Sequence, residues 1–116
     1  MKLSELAGNL NLTCLTPRVT NGEADVCTGY VSDLLSDVLA NGPAGGVLVT
    51  VQVHLTVVAV ATHADLAAVV FAMDRVPDEA VREKAAEEGI ALYASPATAF
   101  EIVGRLHELG VHGARR

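Results

Sequence analysis

The feature that most constrains this chain is a pair of short, unbroken apolar runs. Val47-Leu48-Val49-Thr50-Val51 follows Gly45-Gly46, and Leu66-Ala67-Ala68-Val69-Val70-Phe71-Ala72 follows Asp65. Runs of this length, rich in β-branched residues, read as strands. Apolar character without alternation suits strands buried on both faces of a sheet. Such sheets are parallel, and parallel neighbours need a long crossover, usually a helix. The two runs therefore demand a sheet covered by helices.

The flanking segments fit that demand. Leu3, Leu6 and Leu10 lie at helical spacing with Glu5 in the first turn, which predicts a helix over about Ser4–Leu10. Asn11–Thr16 and Val26–Tyr30 read as strands, separated by a polar loop with Asn21-Gly22 as its turn signal. Ser32 reads as the N-cap of a helix with Leu34, Leu35, Val38 and Leu39 as its buried stripe and Asn41-Gly42-Pro43 as its stop. Pro77 fits the first turn of a helix that runs to Glu88, with Gly89 just beyond it. Ile90–Ser95 reads as a strand. Pro96 opens a last helix, with Phe100, Val103, Leu106 and Leu109 at core spacing and Gly110 as its end. The segment His54–Ala61 pulls both ways: β-branched content favours a strand, and the crossover requires a helix. The expected whole is one α/β domain over 1–116. It is a three-layer sandwich with a mainly parallel central sheet of about five strands flanked by helices, and a frayed tail over 111–116.

Composition narrows the function classes. Apolar residues make up 51% of the 116, with few aromatics and no Trp. The formal net charge is −6, and the only basic cluster is Arg115-Arg116. Nucleic-acid binding needs a basic stripe facing phosphates, so it is not expected. Cys14 and Cys27 each fall in an expected strand between apolar neighbours and read as buried thiols, not as a disulfide or a zinc site. Met1-Lys2-Leu3-Ser4 does not resemble a signal peptide. The most apolar run, Val47–Ala61, holds Gln52 and His54 and is too short to span a bilayer. A cytoplasmic location without membrane association is the expectation.

Three clusters are candidate sites. The first is Tyr30, Ser32, Asp33, Ser36 and Asp37, read as two hydroxyls and two carboxylates on neighbouring helix faces: a pocket wall, a partner contact or a solvated cap. The second is Thr50, Gln52 and His54, polar residues on one side of an extended segment at the carboxyl end of the clearest strand. Ligands of open α/β sheets collect there, although satisfied internal hydrogen bonding is the competing reading. The third is Asp74 and Arg75, in the turn after the next strand, either ligand-facing or paired with the following helix. The acidic stretch Asp78, Glu79, Glu83, Glu87 and Glu88 reads as a solvated face with Asp78–Arg82 and Lys84–Glu88 ion pairs. His63, His107 and His112 lack metal-ligand spacing. The sequence contains no phosphate-binding loop, nucleophile elbow, Cys-x-x-Cys or dinucleotide fingerprint. No cofactor or metal is expected.

At Gly29-Tyr30-Val31-Ser32-Asp33-Leu34-Leu35-Ser36-Asp37 and at Ala72 to Pro77, the chain resembles the DRTGG domain family, in particular its short stand-alone members. The resemblance runs from about Leu3 to Leu109 and takes in Ser95-Pro96-Ala97-Thr98-Ala99-Phe100-Glu101. It implies a fold similar to the N-terminal domain of HPr kinase/phosphorylase, a regulatory role, no kinase activity, and a helix at about His54–Thr62. The sequence departs from the signature itself. Gln52-Val53-His54 stands where the family's Asp-Arg would fall, and Ala72-Met73-Asp74 where its Thr-Gly-Gly would fall. The expected function is a non-catalytic regulatory or ligand-binding domain. It would sense a small anionic metabolite or nucleotide, or dock to a partner enzyme or signalling protein, and act as a homo-oligomer. The alternative is a small accessory or phosphotransfer-linked enzyme using His54 and Asp74.

Overall fold

The computed structural model describes residues 1–114. The elements in order are α1 (Leu3–Asn9), β1 (Thr13–Cys14), β2 (Thr28–Val31), α2 (Leu35–Asn41), β3 (Val47–Thr50), α3 (Thr56–His63), β4 (Ala68–Phe71), α4 (Glu79–Glu88), β5 (Ala91–Ala94), α5 (Ala99–Glu108) and β6 (His112–Gly113). The six strands form one sheet in the order β1-β5-β4-β3-β2-β6. All neighbouring pairs are parallel except β1 with β5.

Sequence alternation along the central strands divides the core into two layers. Val47, Val49, Ala68, Val70, Ala91 and Tyr93 pack with Leu3, Leu6, Ile102 and Leu106 of α1 and α5. Leu48, Val69, Phe71 and Leu92 pack with Val38, Val57, Val58, Val81 and Ala85 of α2, α3 and α4. The central residues are buried because each side of the pleat has its own helical layer. Crossover handedness explains the split. The steps β2→β3→β4→β5 all move one way across the sheet, so right-handed connections place α2, α3 and α4 on one face. The step β5→β6 runs back across it, so α5 lies on the other face.

The 54–62 segment forms a helix despite its β-branched content. Val57, Val58, Val60 and Ala61 are buried at helical spacing, and the β3–β4 crossover decides the conformation. Gly89 sits at φ +75°, the left-handed stop of α4.

Several expectations need correction. Cys14 and Cys27 are exposed, because β1 is a two-residue edge strand and Cys27 precedes β2 beside the equally short β6. Residues between apolar neighbours at a sheet edge have no covering layer. Residues 112 and 113 are not a frayed tail: they pair with Thr28 and Gly29, and Val111 is buried. Arg115 and Arg116 lie outside the described residues. Leu34 and Leu39 are exposed, since α2 begins at Leu35 and turns Val38 inward. In α5 the buried residues are Ile102 and Leu106, and Phe100 is 88% exposed. Thr98 caps that helix through Glu101 N–H, which sets its start after Pro96 and therefore its phase. Pro77 likewise precedes α4, which Asp78 caps. Burial pushes the Tyr93 hydroxyl above its ordinary pKa, with a further coulombic contribution from Cys14. Among the described residues, no helix is long and apolar enough to cross a membrane.

Candidate functional site

The carboxyl edge of the sheet gathers the ends of β2, β3, β4 and β5, and most of the candidate residues meet there. Asp33 leaves β2 and turns to β3. One of its carboxylate oxygens accepts from the Thr50 hydroxyl and from Val51 N–H, both at 2.8 Å. Thr50 is fully buried, and its hydroxyl also accepts from Gln52 N–H at 3.1 Å. The strand ends at Thr50, so Thr50, Gln52 and His54 do not share one side of an extended segment. Thr50 is committed internally, and Gln52 and His54 belong to the loop that leads into α3.

His54 closes the start of that helix. Its Nδ1 accepts from Thr56 N–H at 3.1 Å and lies 2.8 Å from the Thr56 hydroxyl. An accepting Nδ1 places the neutral ring's proton on Nε2, which makes no hydrogen bond among the described residues. The Gln52 side-chain amide has no hydrogen-bond partner among them either. Together with Val53 and Leu55 they form one wall of a cleft of about 470 Å³, whose other wall is Asp78, Ala80 and Val81 at the start of α4. One Asp78 oxygen caps Val81 N–H at 3.2 Å, and the other has no partner among the described residues. The expected Asp78–Arg82 ion pair does not form among the described residues. Arg82 reaches back to the Pro77 carbonyl at 3.4 Å, which leaves Asp78 to the cleft.

The cleft's second wall was not apparent in the sequence, where Asp78 reads as one more acid on a solvated face. The available signal was its position. A residue that starts the helix after β4 must stand at the carboxyl edge, whatever its neighbours.

A second cavity, about 560 Å³, continues from His54 and Leu55 between α3 and α4. Two of its polar groups are already engaged: Thr62 donates to the Val58 carbonyl at 2.9 Å, and Lys84 pairs with Glu88 at 3.2 Å. On the opposite face, Val31, Val103 and His107 border grooves of about 310 and 700 Å³ beside α5. There the His107 and His112 rings stack edge to face with centroids 4.4 Å apart. The 470 Å³ cleft is the one where several uncommitted polar groups converge on apolar walls, the usual makeup of a small-molecule site.

Asp74 and Arg75 lie elsewhere on the same edge. The four-residue turn Ala72–Arg75 closes with Arg75 N–H on the Ala72 carbonyl at 3.1 Å. Both central residues have positive φ, Met73 at +61° and Asp74 at +54°. Left-handed backbone is costly for a residue with a Cβ, and more so for Met than for Asp. The surrounding structure enforces it, because Met73 N–H donates to the Ala97 carbonyl and Asp74 N–H to the Ser95 carbonyl, each at 2.9 Å. These bonds cross the point where the connection after β4 leaves on one face and that after β5 on the other. That divergence normally opens a ligand crevice, and here backbone bridges it. Met73-Asp74 thus adopts a left-handed geometry that glycine takes at little cost. Asp74 lines neither cavity that His54 lines, so the expected His54–Asp74 catalytic pair is not assembled in one cleft.

The Tyr30–Asp37 cluster is also rearranged. Ser32 and Asp33 precede α2, so they do not share its faces with Ser36 and Asp37. The Ser32 hydroxyl accepts from Leu34 N–H at 3.2 Å. Tyr30 donates to Asp37 at 2.8 Å, and Asn41 donates to the same carboxylate at 2.8 Å. Ser36 is exposed. Among the described residues, no group of three or more His, Cys, Asp or Glu side chains is arranged to hold a metal ion.

A mostly parallel, open-edged sheet with helices on both faces defines the general class of open α/β sandwich folds. Comparison with solved structures narrows the fold. The crystal structure of the CBS and DRTGG domains of the regulatory region of a Clostridium perfringens pyrophosphatase, complexed with its activator diadenosine tetraphosphate, matches 89% of this chain with a TM-score of 0.65 and 12% identity. The chain spans 44% of that structure's length. At this identity the likeness is one of fold, and the fold is DRTGG-like. No family model and no curated protein matches the sequence.

Proposed function

We propose that this chain is a regulatory, ligand-binding domain of the DRTGG type that senses a small metabolite at its carboxyl edge. The observation that carries the reading is the convergence of Gln52, His54 and Asp78 on one apolar-walled cleft of about 470 Å³. That size lies within the range of small-molecule sites. The structurally similar pyrophosphatase region is regulatory and was crystallised with a nucleotide activator, which supports nucleotides and their relatives as the first ligands to try.

The test is a thermal-shift screen of the whole chain against nucleosides, nucleotides, acyl phosphates, sugar phosphates and divalent metals. A true ligand raises the melting temperature progressively with concentration, as mass action requires. Substituting Gln52→Ala should abolish that shift without lowering the melting temperature of the free protein. A panel in which no compound moves the melting temperature would sink the reading.

Self-association belongs to the same proposal. Val31, Leu34, Leu55, Met73, Val76 and Phe100 are exposed large apolar side chains at the carboxyl edge, and Leu39 is exposed on α2. Covering them with a second copy would remove this apolar surface from water. Sedimentation at micromolar concentration tests this, and a strict monomer counts against it.

A further inference from the structure

Resting on that reading, we infer that the Gln52–Asp78 cleft takes the base of a nucleoside and not its phosphates. The charge at the cleft points this way. Among the described residues its lining contains one carboxylate, Asp78, and no Lys or Arg. The cations of α4 are committed: Arg82 donates to the Pro77 carbonyl and borders a different cavity, and Lys84 pairs with Glu87 and Glu88. The start of α4 offers no anion site, because Asp78 already caps it and Glu79 occupies its first turn. A phosphate in this cleft would meet a negative charge and no counter-charge.

The hydrogen-bonding groups suit a heterocycle. His54 supplies a donor at Nε2, because Nδ1 is occupied as an acceptor by Thr56. Asp78 supplies an acceptor, fixed by its cap to Val81. The Gln52 amide supplies one of each. Val53, Leu55, Ala80 and Val81 provide the apolar surface on which a flat ring can lie. A nucleobase has this combination of apolar faces and an edge of adjacent donors and acceptors. The phosphates of a nucleotide would then extend into solvent, and the base would carry recognition.

Isothermal titration of the whole chain with adenosine, guanosine, cytidine and uridine, with the corresponding mono- and triphosphates, and with tripolyphosphate tests the assignment. The tightest-binding nucleoside should bind at least as well as its monophosphate. Its triphosphate should bind about three- to tenfold more weakly, from repulsion by Asp78. Tripolyphosphate should not bind. Asp78→Asn keeps a good helix cap, so the variant folds, and it should narrow the gap between nucleoside and triphosphate. Tighter binding of a triphosphate or of tripolyphosphate than of any nucleoside would overturn the inference, as would an unchanged ratio in D78N. If some other metabolite class binds and no nucleoside does, this inference fails while the ligand-binding reading stands. If nothing binds, both fail.

Discussion

β3 and β4 lie side by side, paired from Val47 with Ala68 to Thr50 with Phe71, yet the chain leaves them in opposite ways. At the β3 exit, Asp33 holds the Thr50 hydroxyl and Val51 N–H and His54 Nδ1 accepts from Thr56, while among the described residues the Gln52 amide and His54 Nε2 remain uncommitted. At the β4 exit the main-chain N–H groups are all committed. Ala72, Met73, Asp74 and Arg75 each donate a main-chain hydrogen bond, to Thr50, Ala97, Ser95 and Ala72 respectively. One exit makes a cleft and the other closes a crevice. The contrast shows that a carboxyl edge is not uniformly available to ligands. Each connection either consumes its polar groups in holding the fold or leaves them for binding.

The β3 neck offers the sharpest way to break this contrast. Asp33→Ala removes both bonds and leaves the buried Thr50 hydroxyl without its acceptor. Urea denaturation should show a loss of about 2–3 kcal/mol. A smaller loss is expected for Thr50→Val, about 1–2 kcal/mol, because Asp33 then keeps Val51 N–H while Gln52 N–H loses its acceptor. The two residues belong to one network, so the double variant should lose less than the sum of the singles. Strict additivity would mean that the neck is not held as a unit.

The difference between the exits also marks how far the sequence could be read. The paired strands were legible because runs of buried residues must be covered on both faces; at 54–62 the β-branched Val57, Val58 and Val60 pulled against the crossover, and only the family resemblance favoured the helix that forms. The carboxyl edge was legible as a location for the same reason as the strands. Which polar groups would be consumed there was not. Thr50 and Gln52 look alike in sequence, and only the approach of Asp33 from β2, a contact between separate strands, commits one and spares the other. Asp78 was missed because its role depends on Arg82 turning to the Pro77 carbonyl. Phase errors at Phe100 and Leu34 have a common origin: the helices begin later than Pro96 and Ser32 suggest, and a shift in the start rotates the buried face. Cys14 and Cys27 show the limit of local hydropathy at sheet edges, where apolar neighbours do not ensure burial.

Two glycine substitutions of opposite sense have smaller effects: Gly89→Ala at the end of α4 calibrates the cost of left-handed backbone, and Met73→Gly probes the β4 exit. Gly89→Ala places a Cβ at φ +75° in open space, so it isolates the backbone cost and should destabilise by about 1 kcal/mol. Met73→Gly relieves the same kind of strain at φ +61°. The extra freedom glycine gains in the unfolded state offsets part of that relief, so a net stabilisation of about 0.5 kcal/mol is expected. Met73 lines neither cavity that His54 lines, so the variant should bind any ligand of the Gln52–Asp78 cleft with unchanged affinity. Stabilisation with unchanged binding would separate the two exits cleanly. Stabilisation with weakened binding would show that the strained turn helps to shape the neighbouring cleft. The two exits would then form a single site, with the left-handed backbone kept for function.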